Sequence, residues 1–211
     1  MLRLEQVKKQ YATTTVLSVD SLSINNGLIL LQGDNGSGKT TLLKMIAGLL
    51  PFEGNIIFND EFNLKKHRLQ YIRNINYAEA EPLYPGFLTA KEIMKLFCHA
   101  KKGNVKQIEN LLEQLNIADV YDKPVSTYSS GMVKKLSLAL AFAGTPAWIL
   151  LDEPLITIDK HSITTIFDII NDKHINDGIS FLITSHQNFN NSNLSFTSRL
   201  LTQDHTVKFS E

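Results

Sequence analysis

The chain opens on segments that alternate apolar and polar positions, then changes to unbroken apolar runs separated by stretches of helical spacing. Leu2-Arg3-Leu4-Glu5-Gln6-Val7, Val16-Leu17-Ser18-Val19 and Leu22-Ser23-Ile24 alternate, which predicts strands with one buried face. The turn Asn25-Asn26-Gly27 separates them from Leu28-Ile29-Leu30-Leu31, a run apolar on both faces that predicts a fully buried strand. Residues 42–49 carry apolar positions at helical spacing. Pro51-Phe52-Glu53-Gly54 predicts a turn, residues 55–58 a strand ended by Asn59-Asp60, and residues 75–78 another strand, while residues 69–74 fit neither period.

Residues 79–87 are acidic and then broken by proline and glycine, which predicts a loop. Thr89 with Glu92 three residues on is a capping-box pattern and opens a helix through about His99. Residues 105–115 place Ile108, Leu111, Leu112 and Leu115 on one helical face. Ser129 or Ser130 caps a third helix running to about Ala143. Trp148-Ile149-Leu150-Leu151 and residues 179–184 read as core strands, with a helix over 163–170 between them. Strands alternating with apolar helices give an α/β fold with a mostly parallel sheet and ligands at the strand C-termini. An antiparallel β subdomain precedes that sheet, and an α-helical subdomain over about 86–143 is inserted into it, within a single domain of residues 1–211.

Charge changes this picture little. Lys and Arg number 21 and so do Asp and Glu, so no global positive field points to nucleic acid as a partner. Cys98 is the only cysteine, which excludes an internal disulfide, and the charged start Met1-Leu2-Arg3-Leu4-Glu5 does not resemble a signal peptide. The apolar window 136–151 is interrupted by Gly144, Thr145 and Pro146 and ends at Asp152-Glu153, too broken for a membrane span. The expectation is a cytoplasmic protein that reaches a membrane only through a partner.

The candidate chemistry begins at Gly33-Asp34-Asn35-Gly36-Ser37-Gly38-Lys39-Thr40-Thr41, which fits the phosphate-loop pattern G-x-x-x-x-G-K-[ST] between a predicted strand and a predicted helix. Its glycines let several N–H groups converge on one point, and the helix start adds its positive dipole end. Lys39 supplies a mobile charge for the β- and γ-phosphates, and the Thr40 hydroxyl can ligate Mg²⁺. The motif implies a bound nucleoside triphosphate. Asp152-Glu153, at the end of an apolar strand, and His186, at the end of the next, fall on the same sheet edge.

Tyr128-Ser129-Ser130-Gly131-Met132, shortly before a strand ending in Asp-Glu, resembles the L-S-G-G-Q signature of ATP-binding cassette (ABC) ATPases, and the resemblance spans nearly the whole chain. It implies a P-loop ATPase core in which two cassettes meet head to tail. The signature of one, here the Ser129 hydroxyl and Gly131 amide with Ser130 between, covers the γ-phosphate held by the phosphate loop of the other. The same resemblance assigns Asp152 to Mg²⁺, Glu153 to general-base activation of water, His186 to the γ-phosphate, Asp159 to the loop communicating across the dimer, and Tyr11 to stacking on adenine. Ala80, between Glu79 and Glu81, stands where the family carries a Gln that ligates Mg²⁺ and senses the transport partner; either a neighbouring Glu substitutes or the contact is absent, which implies slower or more partner-dependent hydrolysis. The implied function is the ATP-hydrolysing subunit of an ABC transporter, a homodimer or heterodimer at the inner face of the cell membrane, working through transmembrane permease subunits that are separate chains. The alternative is a soluble non-transport ABC ATPase acting on ribosomes or nucleic acid.

Overall fold

The computed structural model describes residues 1–185 and 194–210. The alternating N-terminal segments form β1 (Leu2–Tyr11) and β2 (Thr14–Ile24). β2 is one strand where two were expected, because pairing with β1 continues through the solvent-facing Ser21 opposite Glu5. β3 (Leu28–Gln32) leads into the glycine loop and α1 (Lys39–Ile46). β4 (Glu53–Phe58) begins inside the expected turn and pairs with β1, with β5 (Phe62–Asn63) beyond it. The ambiguous stretch is α2 (Arg68–Asn74). Its buried Tyr71 donates its phenol to the Ile46 carbonyl at 2.9 Å, a tertiary anchor invisible to periodicity.

β6 (Ile75–Ala78) is followed by α3 (Ala90–Lys101), α4 (Val105–Gln114) and α5 (Ser130–Leu140). α5 stops short of the expected Ala143. β7 (Trp148–Leu151) precedes α6 (Lys160–Asp177), which runs well past the expected 163–170 because Asp159 caps its start and Gly178 ends it in the left-handed conformation. β8 (Ser180–Thr184) completes the predicted strands. β9 (Ser198–Gln203) and β10 (Thr206–Phe209) were not expected. β9 buries only Leu200 and Thr202 and the edge strand β10 only Val207, too weak a pattern over so short a span.

One sheet has the order β2-β1-β4-β5 and is antiparallel throughout; the other has the order β10-β9-β3-β8-β7-β6, parallel except for β10. Side chains alternate across a strand, so the parallel strands feed two cores. Trp148, Leu150 and Leu182 pack with α1, α2 and the antiparallel sheet. Ile149, Leu151, Phe181 and Ile183 pack with α3 to α6. Coverage on both faces is why these strands are apolar without alternation. Among the described residues, no helix is long and apolar enough to cross a membrane.

The α3 start shows the capping box in full: the Thr89 amide donates to Glu92 Oε2 at 2.8 Å and the Glu92 amide to Thr89 Oγ1 at 3.2 Å. Thr89→Ala removes the hydroxyl acceptor and is expected to cost about 1 kcal/mol, lowering the melting temperature by roughly 2–4 °C in a thermal scan followed by circular dichroism.

Candidate nucleotide site

β3 ends at Gln32, and the chain then turns through three glycines with positive φ: Gly33 at 148°, Gly36 at 79° and Gly38 at 103°. A side chain at Gly33 would collide with Thr202 of β9, whose hydroxyl would lie 2.1 Å from the added carbon. Gly38 is the residue before α1, and neither it nor the first turn carries a side-chain cap. The amides that open α1 are thus left for a ligand, with the positive end of the helix dipole behind them. Ser37 Oγ and Thr202 Oγ1 lie 2.7 Å apart, and Thr202 donates to the Gln32 carbonyl at 2.9 Å, which staples the loop to β9.

Lys39 lies across the loop and donates its ammonium to the carbonyls of Gly33 at 2.7 Å and Asp34 at 2.9 Å. Burial pulls its pKa below the ordinary lysine value, opposed by the charges of Glu153, Asp152 and Asp34. An open cleft of about 400 Å³ is lined by residues 35, 36 and 38–41 together with Glu153 and Ile156. The exposed Thr40 and the half-buried Thr41 of α1 therefore face the same space as the Glu153 end of β7.

The carboxylates are set by strand order. β8 lies between β3 and β7, with Ile183 opposite Leu151, so the next residue, Thr184, reaches both acids. Its hydroxyl donates to Asp152 Oδ1 at 2.8 Å and accepts from the Glu153 amide at 2.9 Å. From the other flanking strand, β6, the Tyr77 phenol donates to Asp152 Oδ2 at 3.1 Å. Glu153 sits at φ 44°, a left-handed conformation that costs roughly 1–3 kcal/mol in a residue other than glycine and asparagine. That strain turns consecutive carboxylates apart, one held under the strands and the other toward the cleft.

Ser129 caps α5 by accepting from the Met132 amide at 3.2 Å, and Ser129 and Ser130 are exposed. Gly131 backs against the 153–159 segment: an added Cβ there would lie 2.7 Å from the Thr157 carbonyl, so only glycine fits. Thr157 is itself at φ 65°. Asp159 accepts from the Ser162 amide and hydroxyl at 2.9 and 2.8 Å and pairs with Lys135 of α5 at 2.8 Å. The Lys135 hydrogen bond and those from Ser162 hold the Asp159 carboxyl well below the usual carboxylate range. On the residue just before Lys135 in α5, the buried Lys134 ammonium donates to three carbonyls, Glu79 at 2.6 Å, Ala80 at 3.0 Å and Asp152 at 2.9 Å.

The family profile described as ABC transporter matches residues 17–156. The chain belongs to the ABC transporter family, as an ATP-binding subunit. It is 30% identical over 188 residues to the lantibiotic transport ATP-binding protein SrtF of Streptococcus pyogenes, covering 88% of this chain and 80% of that protein. It is 32% identical over 197 residues to human ATP-binding cassette sub-family A member 2, covering 88% of this chain but only 8% of that much longer protein. In fold it is similar to a dimeric ATP-binding cassette solved in a post-hydrolysis state with ADP and Pi, with a TM-score of 0.85 at 21% identity, covering 100% of this chain and 98% of that one. ATP binding and ATPase activity follow from this membership.

Within this ABC ATPase the residues singled out in the sequence fall into three places. Asn35, Gly36, Gly38, Lys39, Thr40, Thr41 and Glu153 share the cleft, with Gly33, Asp34, Ser37 and Asp152 supporting it from behind. Ser129, Ser130 and Gly131 do not line that cleft, and neither does Tyr11. Tyr11 ends β1 half exposed, with the Lys9 ammonium 4.7 Å from its ring centroid. His186 lies outside the described residues.

Sequence reasoning passed over Tyr77, Lys134, Lys135 and Thr184. Lys134 carried a signal, since it shares a helical face with Leu138 and Ala141, both buried. A charge on a buried face must find partners. Tyr77 and Thr184 carried none, because their partners depend on strand order.

Proposed function

We propose that this ATP-binding subunit works as a single domain with a helical subdomain over about 86–143, that two cassettes close head to tail over ATP, and that hydrolysis reopens them. The observation that carries this reading is the separation of two halves of a site on one chain. The phosphate cradle and Glu153 share a cleft, whereas the exposed helix start at Ser129, Ser130 and Gly131 does not line it. That helix start is free to cover the γ-phosphate held by another copy or by a different cassette.

The residues present fit ATP and Mg²⁺. The positive-φ glycines and the uncapped α1 start supply amides for the phosphates, and Lys39 can exchange its two carbonyl acceptors for phosphate oxygens. Among the described residues there is no cluster of three or more His, Cys, Asp or Glu able to cage a metal. The donors on offer, the Thr40 hydroxyl and the Asp152 carboxylate, are the few hard oxygen ligands typical of Mg²⁺ held jointly with phosphates. When bound, the ion would neutralise charge on the phosphate oxygens. Glu153 takes a proton from water aligned with the γ-phosphate, Lys39 and the loop amides balance the charge that develops there, and His186 contacts the γ-phosphate. Tyr11 stacks on the adenine, and Asp159, held by Lys135, carries the loop that meets the partner cassette.

The transport partner is a separate membrane chain that keeps this subunit at the inner face of the membrane. Support comes from a groove of about 320 Å³ whose lining includes Leu49, Ile72, Tyr77, Phe97, Lys101 and Glu79. The loop that continues from Glu79 exposes Leu83 and Phe87 at 93% and 80%, apolar surface that a docked partner would cover.

The test is a disulfide trap between copies. Ser129→Cys and Asn35→Cys proteins are mixed under mild oxidation, with Cys98 buried and out of reach. A cross-linked dimer forming with ATP and not without it is expected. Cross-linking indifferent to ATP, or none at all, would overturn the head-to-tail arrangement.

A further inference from the structure

We infer that Tyr77 is a positioning residue for the Asp152 carboxylate, its phenol fixing that group from the wall of the groove assigned above to the membrane partner. The inference rests on Asp152 as the metal carboxylate and on that groove as the docking site. A carboxylate offers about four lone-pair sites on its two oxygens. Here each oxygen gives one of them to a hydroxyl on a flanking strand, Oδ1 to Thr184 of β8 and Oδ2 to Tyr77 of β6. Gripped on both sides, the group cannot rotate without breaking a bond, and its remaining lone pairs keep one direction.

Tyr77 also stands in the groove wall with Ala47, Ile72 and Phe97. At position 80, where the family resemblance places a Gln that meets both metal and partner, this chain has a methyl group and only the carbonyl is engaged, by Lys134. The Tyr77 ring and its hydroxyl therefore form a side-chain route from the groove to the metal edge. A partner helix that packs against the ring can shift the hydrogen bond on Asp152, and with it the metal.

The test is Mn²⁺ binding to the full chain, read by electron paramagnetic resonance in the presence of the β,γ-imido analogue of ATP. Tyr77→Phe keeps the ring and removes the hydroxyl. Because phosphates supply most of the ligands, the expected loss of Mn²⁺ affinity is about tenfold, the lower end of what orienting partners contribute. Binding of the analogue without metal is expected to be unchanged, because the hydroxyl touches Asp152 and not the glycine loop. Unchanged Mn²⁺ affinity in Tyr77→Phe overturns the inference, and so does a matching fall in metal-free nucleotide binding, which would place the hydroxyl's effect on the cradle instead. Wild-type binding of the analogue that ignores Mn²⁺ would remove the metal reading of Asp152 as well.

Discussion

Replacing Glu153 by Gln is expected to lower ATP turnover by a factor of about 10² to 10³, within the range general bases supply. ATP affinity should stay close to wild type, because the cradle that binds the phosphates is built from residues 33–41 and not from this side chain. The exchange preserves size and shape and leaves the backbone anchor intact, since Thr184 accepts from the amide of residue 153 whatever its side chain. What is lost is the proton acceptor and its negative charge, one of three near Lys39. With hydrolysis blocked and the sandwich closed, ATP should also convert the variant from monomer to dimer on size exclusion, an effect absent with ADP. Turnover within a few-fold of wild type would remove Glu153 from the role of base. A silent enzyme that stays monomeric with ATP would keep the base and discard the proposed closure.

The second large effect concerns stability. Lys134→Met should destabilise the protein by roughly 3 kcal/mol, because three carbonyls, that of Asp152 buried and the other two part-buried, lose a charged donor, and an unpaired buried acceptor costs about 1–3 kcal/mol. For a chain of this size that corresponds to a fall in melting temperature of roughly 6–12 °C. The methionine fills most of the lysine's volume, so the loss reports hydrogen bonding and not a cavity. Lys106→Met, at an exposed position of α4, is the control and should lie within about 0.5 kcal/mol of wild type. Denaturant titrations that place Lys134→Met with the control would show that these carbonyls find other partners and that Lys134 does not pin the 79–80 backbone to the end of β7.

Much of the site was legible in advance because its parts are local. The glycine loop needs only its own backbone and the strand and helix on either side, and all three follow from period and motif. The capping box at Thr89, the cap at Ser129 and the apolar strand that presents Asp152-Glu153 are likewise short-range. The errors have a common source in distance along the chain. α2 has an indistinct period and is fastened by the Tyr71 to Ile46 bond. β9 and β10 gain their place by pairing at the edge beside β3, and β9 in turn staples the glycine loop through Thr202.

The amino-acid order alone pointed to an α/β core, a glycine loop at a helix start and a pair of acids at a strand end, because hydrophobic period and glycine chemistry act over a few residues. Only the tertiary structure decided what grips those acids. Placing β6 and β8 on either side of β7 brings Tyr77 and Thr184, distant in sequence, onto one carboxylate, and burying one face of α5 turns Lys134 from a surface charge into a tie between three segments. The partners in these contacts are set by strand order and packing; helical spacing marks Lys134 as buried but does not name the carbonyls it meets.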